Sequence, residues 1–562
     1  MNLVRTFRYP IWLVLASILL LGLGLRAWSL DFGLPFSYHV DEPAYVIAAL
    51  RIAQGKLQLN YPPMSPSFQQ LLYVVLYGLF FMAKFLTGAV ASPNDFAKLY
   101  EIDPTPFYLL ARSVSVVSSL ISISLLFAIV RRLRELLTAA LATLFLAVCF
   151  LDVRHAHFVE PYSLVTMMAL ACVYAALRCG GNGEPNGRKW LIASGLTCGV
   201  AVGIRYSVLP LGLVPLFAVG TRWFGSGPDR RLRALAIDFG WIALAGGFGL
   251  LIGVPGLIVN LPNTLAAVRG QSSLAGSLSG FFGITFTDLP TWRFYLAVLE
   301  IAWGIPLLIA IALGVMHVIA GRSVQDRLFL VFPLFYGLEL SLASASSSAF
   351  ARYLLPALPF MAFLAADGFM VVLRWLGSRL PERYFPALLG VTSLVLVAIP
   401  LMRGVKLDRL WTIPDTRTQA KAWIEANLPV GTHLATQWHG PPLSTATDSE
   451  PRSQRTYDLK LLYPFSADED LDTLEFYQDE GFEYLVLSSY IYNLKLADSG
   501  RERIRQRFYH RLDQEAKLVA EFKPYQGEGE PPFLFEQIWG PITHLWDYER
   551  PGPTIKIYRL GS

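Results

Sequence analysis

The sequence is poor in charge and almost without cysteine. Four of its 562 residues are Cys (Cys149, Cys172, Cys179 and Cys198), and the polar C-terminal third holds none. All four fall in or beside apolar segments, which excludes a disulfide framework and a CxxC metal site. Charged residues make up 16% of the chain against 54% hydrophobic and 13% aromatic, and the mean hydropathy is +0.44. These values exclude a large soluble enzyme and describe a polytopic membrane protein. The net charge of +5 is small for the length and unevenly spread, so it speaks for membrane topology and against a nucleic-acid partner. No Gly-rich phosphate loop and no repeat family are visible. The N-terminal stretch has a basic start and a long apolar run without a small-residue cleavage site, so it reads as a retained first span.

What is present is a series of apolar segments. Spans are predicted at 10–28, 107–130, 138–151, 162–178, 190–204, 207–224, 236–258, 295–320, 328–345, 353–373 and 385–402, about eleven in all. A further apolar run, 71–90, is long enough to cross. If it does not, the segments 131–135, 178–189, 221–234, 321–327 and 374–383 share the side of the N-terminus, and each is rich in Arg or Lys. That is the positive-inside pattern. The run 71–90 is therefore expected to lie along or dip into the membrane on the external side, unless a compensating segment has gone uncounted. The outside then receives 29–106, 152–161, 259–294, 346–352 and everything after about 403.

Beyond residue 402 the composition becomes that of a soluble domain. Helix-then-strand patterns recur over 415–436 and 468–489, a charged helix is predicted over 499–522, and the chain closes on the strand-like "TIKIYRL". The fold class is a polytopic α-helical membrane domain over 1–402, including the external loop 29–106, followed by a small external α/β domain over 403–562. For that domain the simplest reading is a module for packing or acceptor positioning, without chemistry of its own.

Candidate chemistry clusters on the external side. "YHVDEPAY" places Asp41 and Glu42 just beyond the first span. The short loop "LDVRHAHFVEPYS" gathers Asp152, Arg154, His155, His157 and Glu160. Arg205 stands at an external turn, and Arg352 with Tyr353 opens a later span. Ionisable residues at membrane depth cost roughly 2.5–3.5 kcal/mol each, so they are kept for a partner or a function. Outer arginines lack the usual topological reason to be there; snorkelling to headgroups, or pairing with a carboxylate such as Glu339, is the alternative. Two or three arginines facing carboxylates suit a lipid-linked phosphate, because guanidinium groups grip phosphate while a carboxylate serves as base.

Several stretches, "DEPAYVIAALRIAQGKL", "NYPPMSPSFQQLLYVVLYGLF", "LARSVSVVSSLISISLLFAIVRRL", "HAHFVEPYSLVTM", "GLTCGVAVGIRYSVLPL" and "ARYLLPALPF", resemble the GT-C superfamily of membrane glycosyltransferases. The likeness is strongest to glycosyltransferase family 39, the polyprenyl- or dolichyl-phosphate-mannose protein mannosyltransferases, and extends to the aminoarabinose transferases of lipid A. It runs in order through residues 1 to 400. It departs from the protein-mannosyltransferase branch at Tyr61-Pro62-Pro63, where a histidine usually precedes the prolines.

The resemblance implies an inverting transferase of a bacterial inner membrane, with cytoplasmic N-terminus and periplasmic C-terminal domain. Its partners would be a polyprenyl-phosphate-linked sugar donor, an acceptor glycan, lipid or protein, and the bilayer. Asp41 looks like the catalytic base, with Glu42 and Glu160 assisting. Arg205, Arg352 and Tyr353 look like the donor-phosphate site, and Arg269, in the Gly/Ser-rich stretch 259–294 that reads as a lid or a linker, is a further phosphate contact. No cofactor is firmly implied; His39, His155 and His157 are the candidates should a divalent metal bind. A lipid-linked sugar transporter and an inactive envelope scaffold are the alternatives from other classes.

Overall fold

The structure, a computed structural model, describes residues 10–57, 65–180, 186–222, 228–266, 269, 290–321, 323–342, 350–445, 455–463, 473–496, 498–527 and 529–561. The Tyr61-Pro62-Pro63 segment and most of the expected lid lie outside them.

The membrane part opens with α1 (Ile11–Ala27), α2 (Glu42–Ala53), α3 (Phe68–Leu86), α4 (Pro93–Ile102) and α5 (Thr105–Leu133). Next come α6 (Leu136–Ala147), α7 (Phe150–Ala156), α8 (Tyr162–Arg178), α9 (Gly187–Ile204), α10 (Leu213–Arg222) and α11 (Pro228–Gly253). It closes with α12 (Thr291–Trp303), α13 (Ile305–Gly321), α14 (Val324–Leu342), α15 (Leu358–Gly377) and α16 (Phe385–Trp411). Among the described residues five helices are long and apolar enough to cross a membrane, or seven if each of two bent pairs is one span. The chain is thus a multi-pass membrane protein, and the count of eleven is not reached by this measure. Rows of large apolar side chains stay exposed on these helices, Val75, Leu79 and Met82 on α3 and Leu244, Phe248 and Leu251 on α11 among them. A lipid solvent accounts for such faces, which water would not.

Close helix packing is written into small residues. A Cβ at Gly199 of α9 would overlap the Gly246 carbonyl of α11, and one at Gly249 of α11 would overlap the Leu196 carbonyl of α9. Such contacts replace the hydrophobic driving force that lipid removes. At one end of the bundle Arg134 pairs with Asp326 at 2.9 Å and Asp367 at 2.7 Å, and Arg374 pairs with Glu135. Three of the basic segments therefore meet there.

Four expectations need correction. The span 295–320 is broken between α12 and α13 by a bend of 113°, where Gly304 adopts φ +81° and Pro306 follows. The stretch 152–161, expected as a short loop, begins inside α7, which continues α6 across a 55° bend and is buried throughout. The helix begun at 385 runs on to Trp411, past the boundary drawn at 402. The charged helix expected over 499–522 stops at Glu515, where "KLVAEF" becomes a strand. The run 71–90 is a continuous helix, α3, started by a capping box between Ser67 and Gln70.

The C-terminal part forms a five-stranded sheet in the order β2-β1-β3-β5-β4, from β1 (His433–Gln437), β2 (Asp458–Leu462), β3 (Tyr484–Ser488), β4 (Lys517–Phe522) and β5 (Ile555–Arg559). β1 is parallel to β2 and β3, and β5 is antiparallel to β3 and β4. One face packs on α17 (Thr416–Asn427) through Ala420, Ile424 and Val486. The other packs on α18 (Leu474–Asp479) and α19 (Ser499–Glu515) through Tyr477, Phe508 and Leu512. The C-terminal part thus holds a small sheet flanked by helices, and it does not stand apart from the bundle. Ile542 and Leu545 join the main membrane core, and Ile538 and Trp539 pack with Phe350.

Candidate active site

Asp41 occupies the N-cap of α2, a position where Asp normally bonds the first free backbone amides. Here the side chain makes no capping bond. Its Oδ2 instead meets Arg352 Nη1 at 3.1 Å and accepts from Trp539 Nε1 at 3.1 Å. The carboxylate side chain keeps 26% of its surface exposed. Among the described residues Oδ1 has no hydrogen-bond partner.

Glu42, one residue on, is fully buried. Arg112 of α5 grips it with Nε to Oε1 at 2.8 Å and Nη2 to Oε2 at 2.7 Å, and the Val159 amide donates to Oε1 at 2.9 Å. Burial pushes its pKa up, but the guanidinium beside it prevails and holds the carboxyl below its ordinary value. Arg112 also donates to the carbonyls of Leu30 and Phe32. Through Arg112, Glu42 ties the loop that carries Asp41 to α5.

Glu160 is buried and centrally placed. Its Oε1 lies 3.3 Å from Arg352 Nη1 and 3.4 Å from His39 Nε2, and its Oε2 bonds His155 Nδ1 at 2.7 Å. Arg154 Nη1 approaches His155 Nε2 at 2.9 Å. Arginine can only donate, so His155 is neutral, with its proton on Nδ1 and given to Glu160. In the same way His39 Nδ1 accepts the Asp41 amide at 3.3 Å, leaving Nε2 to carry the proton that faces Glu160. Burial pushes Glu160 up, but His155, His39 and Arg352 together hold it well below the usual carboxylate range.

Arg352 joins the two carboxylates through one nitrogen, Nη1, and its guanidinium lies over the rings of Phe350 at 4.4 Å and Trp539 at 4.8 Å. Arg205 is held differently. It ends α9 in an extended conformation and sits over Tyr162 at 4.9 Å and Tyr353 at 5.6 Å. Among the described residues it has no carboxylate partner, and its Nε is buried without an acceptor. Tyr353 follows Arg352 and Tyr162 lies two residues after Glu160, so this unpaired cation borders the same site. The alternative of pairing with a carboxylate such as Glu339 is not what the structure shows.

Other sequence candidates are placed elsewhere. Asp152 pairs with the buried Arg26 of α1 at 2.6 Å. Arg154 donates to the backbone oxygens of Glu536, Gly540 and Pro541, clamping the C-terminal domain onto α7. His157 points away from His155, with Nδ1 and Nε2 each 2.9 Å from the carbonyls of Val153 and Trp28. Arg269 is exposed and its neighbours lie outside the described residues. No group of three or more His, Cys, Asp or Glu side chains arranged to hold a metal is found among the described residues. The sequence reading missed Trp539, which touches Asp41, and Glu536, which accepts the Ala351 amide at 2.5 Å and is raised by burial. Both come from a domain with no motif to flag them.

The comparison that bears on this arrangement is a family model described as dolichyl-phosphate-mannose-protein mannosyltransferase. Residues 109–237 match it. The resemblance drawn from sequence is thus supported across the stretch that holds Arg112, Glu160 and Arg205. Among solved structures, ArnT of Cupriavidus metallidurans in the apo state aligns at TM-score 0.48 and 15% identity, covering 97% of each chain. The same protein bound to undecaprenyl phosphate aligns at 0.45 and 14%, again over 97% of each. An Archaeoglobus fulgidus oligosaccharyltransferase with a tethered acceptor peptide aligns at 0.47 and 12%, over 86% of this chain and 70% of that one. Likenesses at this level carry no functional inference. No curated protein sequence matches.

Proposed function

We propose that the chain is an inverting glycosyltransferase that moves a monosaccharide from a polyprenyl-phosphate carrier to an acceptor hydroxyl on the external face of a bacterial inner membrane. The observation that carries this reading is the meeting of Asp41, Glu160 and Arg352 beside an Arg205 that has no acidic partner among the described residues. A half-buried guanidinium without a counter-ion is costly unless an anion arrives to share the site. A phosphate bridging Arg205 and the Arg352 nitrogens that have no partner among the described residues supplies that anion. The matched family's description names a lipid-phosphate sugar as donor, which fits such a site.

Of the three carboxylates, Asp41 is suited to be the base. Its side chain is 26% exposed, against 0% for Glu42 and 3% for Glu160. In the proposed step Oδ1 takes the acceptor's hydroxyl proton as that oxygen bonds to the anomeric carbon. The bond from that carbon to the carrier phosphate breaks, and its electron pair leaves on the phosphate, where Arg205 and Arg352 stabilise the added charge. One displacement inverts the anomeric configuration. Arg352 and Trp539 hold Oδ2, so the reactive oxygen is oriented.

The test incubates the purified chain with a panel of polyprenyl-phosphate sugars, follows release of free polyprenyl phosphate, and reads the product anomer by NMR. Release with inversion supports the reading. No consumption of any donor, or a retained configuration, contradicts it. Adding a chelator to the same assay reports whether a divalent ion takes part.

A further inference from the structure

A cleft of about 690 Å³ lies between the loop that carries Asp41 and the C-terminal sheet. On one side it is bounded by Tyr38, His39, Val40 and Pro43, which flank Asp41, and on the other by residues at the ends of β1 and β2. A smaller cavity of about 10 Å³ shares Tyr38, His39 and Arg417 with it and reaches Trp539. The carboxyl ends of parallel strands are where α/β sheets place ligands, and the volume falls in the roughly 300–1,000 Å³ range of ligand sites.

Three features of its wall go beyond shape. His439 is a non-glycine residue at φ +62°, a left-handed backbone conformation that costs energy and concentrates at functional sites. Its Nε2 is buried without a hydrogen-bond partner. Burial, then the nearby Arg417 charge, lowers its pKa to about 3, so the imidazole is neutral. Next, Trp438 lies 4.1 Å from the His439 ring and 6.3 Å from the Tyr463 ring, and Tyr463 is 52% exposed. Finally, the nineteen described lining residues include no carboxylate and one arginine. That arginine, Arg417, is paired with Asp415 at 2.8 Å and lies over Tyr38 at 3.8 Å.

We propose that this cleft binds the acceptor and that the acceptor is a neutral glycan. One sugar ring stacks on Trp438 and Tyr463, His439 Nε2 bonds a hydroxyl, and the chain's terminal hydroxyl passes His39 to reach Asp41. Aromatic faces take the apolar face of a sugar while an uncharged imidazole takes its hydroxyls. A phosphorylated or acidic ligand would instead meet described walls whose one cation, Arg417, is already paired. The assignment rests on the transferase reading above.

The test measures binding apart from turnover. Neutral tetrasaccharides of mannose, glucose, galactose and rhamnose are titrated by saturation-transfer NMR against the full chain in nanodiscs, with an acidic phosphopeptide as the contrasting probe. The expected result is that at least one tetrasaccharide binds, that the exposed-site variant Tyr463→Ala and the variant Trp438→Ala each weaken it about three- to tenfold, and that Asp41→Asn binds as wild type does. Absence of tetrasaccharide binding, binding untouched by Tyr463→Ala, or preference for the phosphopeptide overturns the cleft assignment while leaving donor cleavage intact. Normal turnover by Asp41→Asn overturns the mechanism and leaves the binding result standing.

Discussion

Trp539 donates its indole N–H to Oδ2 of Asp41 at 3.1 Å, across 498 positions of sequence. The C-terminal domain therefore takes part in setting the proposed base, and its docking is part of the site. Trp539→Phe removes that donor and keeps most of the packing against Phe350 and Arg352. The variant is expected to stay folded and to lose about tenfold in kcat, the effect of one hydrogen bond to a charged group. Steady-state kinetics on variant and wild type check this.

Arg205 gives the sharpest separation between stability and function. Because it has no acidic partner among the described residues, Arg205→Met is expected to leave the Tm unchanged or raise it. Losing charge-assisted bonds worth roughly 1.5–3 kcal/mol weakens the donor by about ten- to a hundredfold. Differential scanning fluorimetry and the donor KM read the two effects separately.

Glu42 and Arg112 are expected to behave in the opposite way. Removing one partner of a fully buried pair leaves an uncompensated charge and costs about 3–5 kcal/mol, so Arg112→Gln alone should fold poorly. Glu42→Gln combined with Arg112→Gln should recover much of the loss, and a double-mutant cycle of thermal stability measures the coupling.

The acid limb of stability follows from Glu42 and Glu160. Both are held below the ordinary carboxylate value in the folded chain, so the folded state binds their protons less readily than the unfolded one does. The stability they contribute is fully present above their ordinary value near 4.5 and is lost as pH falls below it. Glu536 runs the other way. Its carboxyl is raised by burial, so its contribution is present below that ordinary value and is lost as pH rises through its raised folded value. Glu536→Gln is expected to raise the Tm at pH 8 and to give no gain at pH 4. Melting curves at the two pH values check both signs.

Much of the site was legible in the sequence because unusual residue types stood in short segments next to apolar runs. Asp41, Glu160, Arg205 and Arg352 were visible as charges with no topological reason to be at the membrane surface. Their division of labour came from the family resemblance and not from the residues themselves. Glu42 reads in the sequence as an assisting carboxylate, and its bidentate grip by Arg112, 70 residues away, is not visible there. His39 and His155 were candidates should a divalent metal bind; in the structure each has one nitrogen at a backbone amide or an arginine and the other facing Glu160. The bend at Gly304 was missed because composition over 295–320 is predominantly apolar and hydropathy is blind to direction. Strand β4 was missed because a charged helix merges with it in sequence. Trp539 and the cleft beside Trp438 depend on how the C-terminal domain docks, which no local pattern encodes.

The most direct test of the central claim is single-turnover release of polyprenyl phosphate by Asp41→Asn, run with donor binding measured on the same preparation. The account predicts wild-type donor affinity within about threefold and a rate lower by about a hundred- to ten-thousandfold, the contribution of a general base. Asp41→Asn releasing the carrier as fast as wild type, with donor bound equally well, would contradict it.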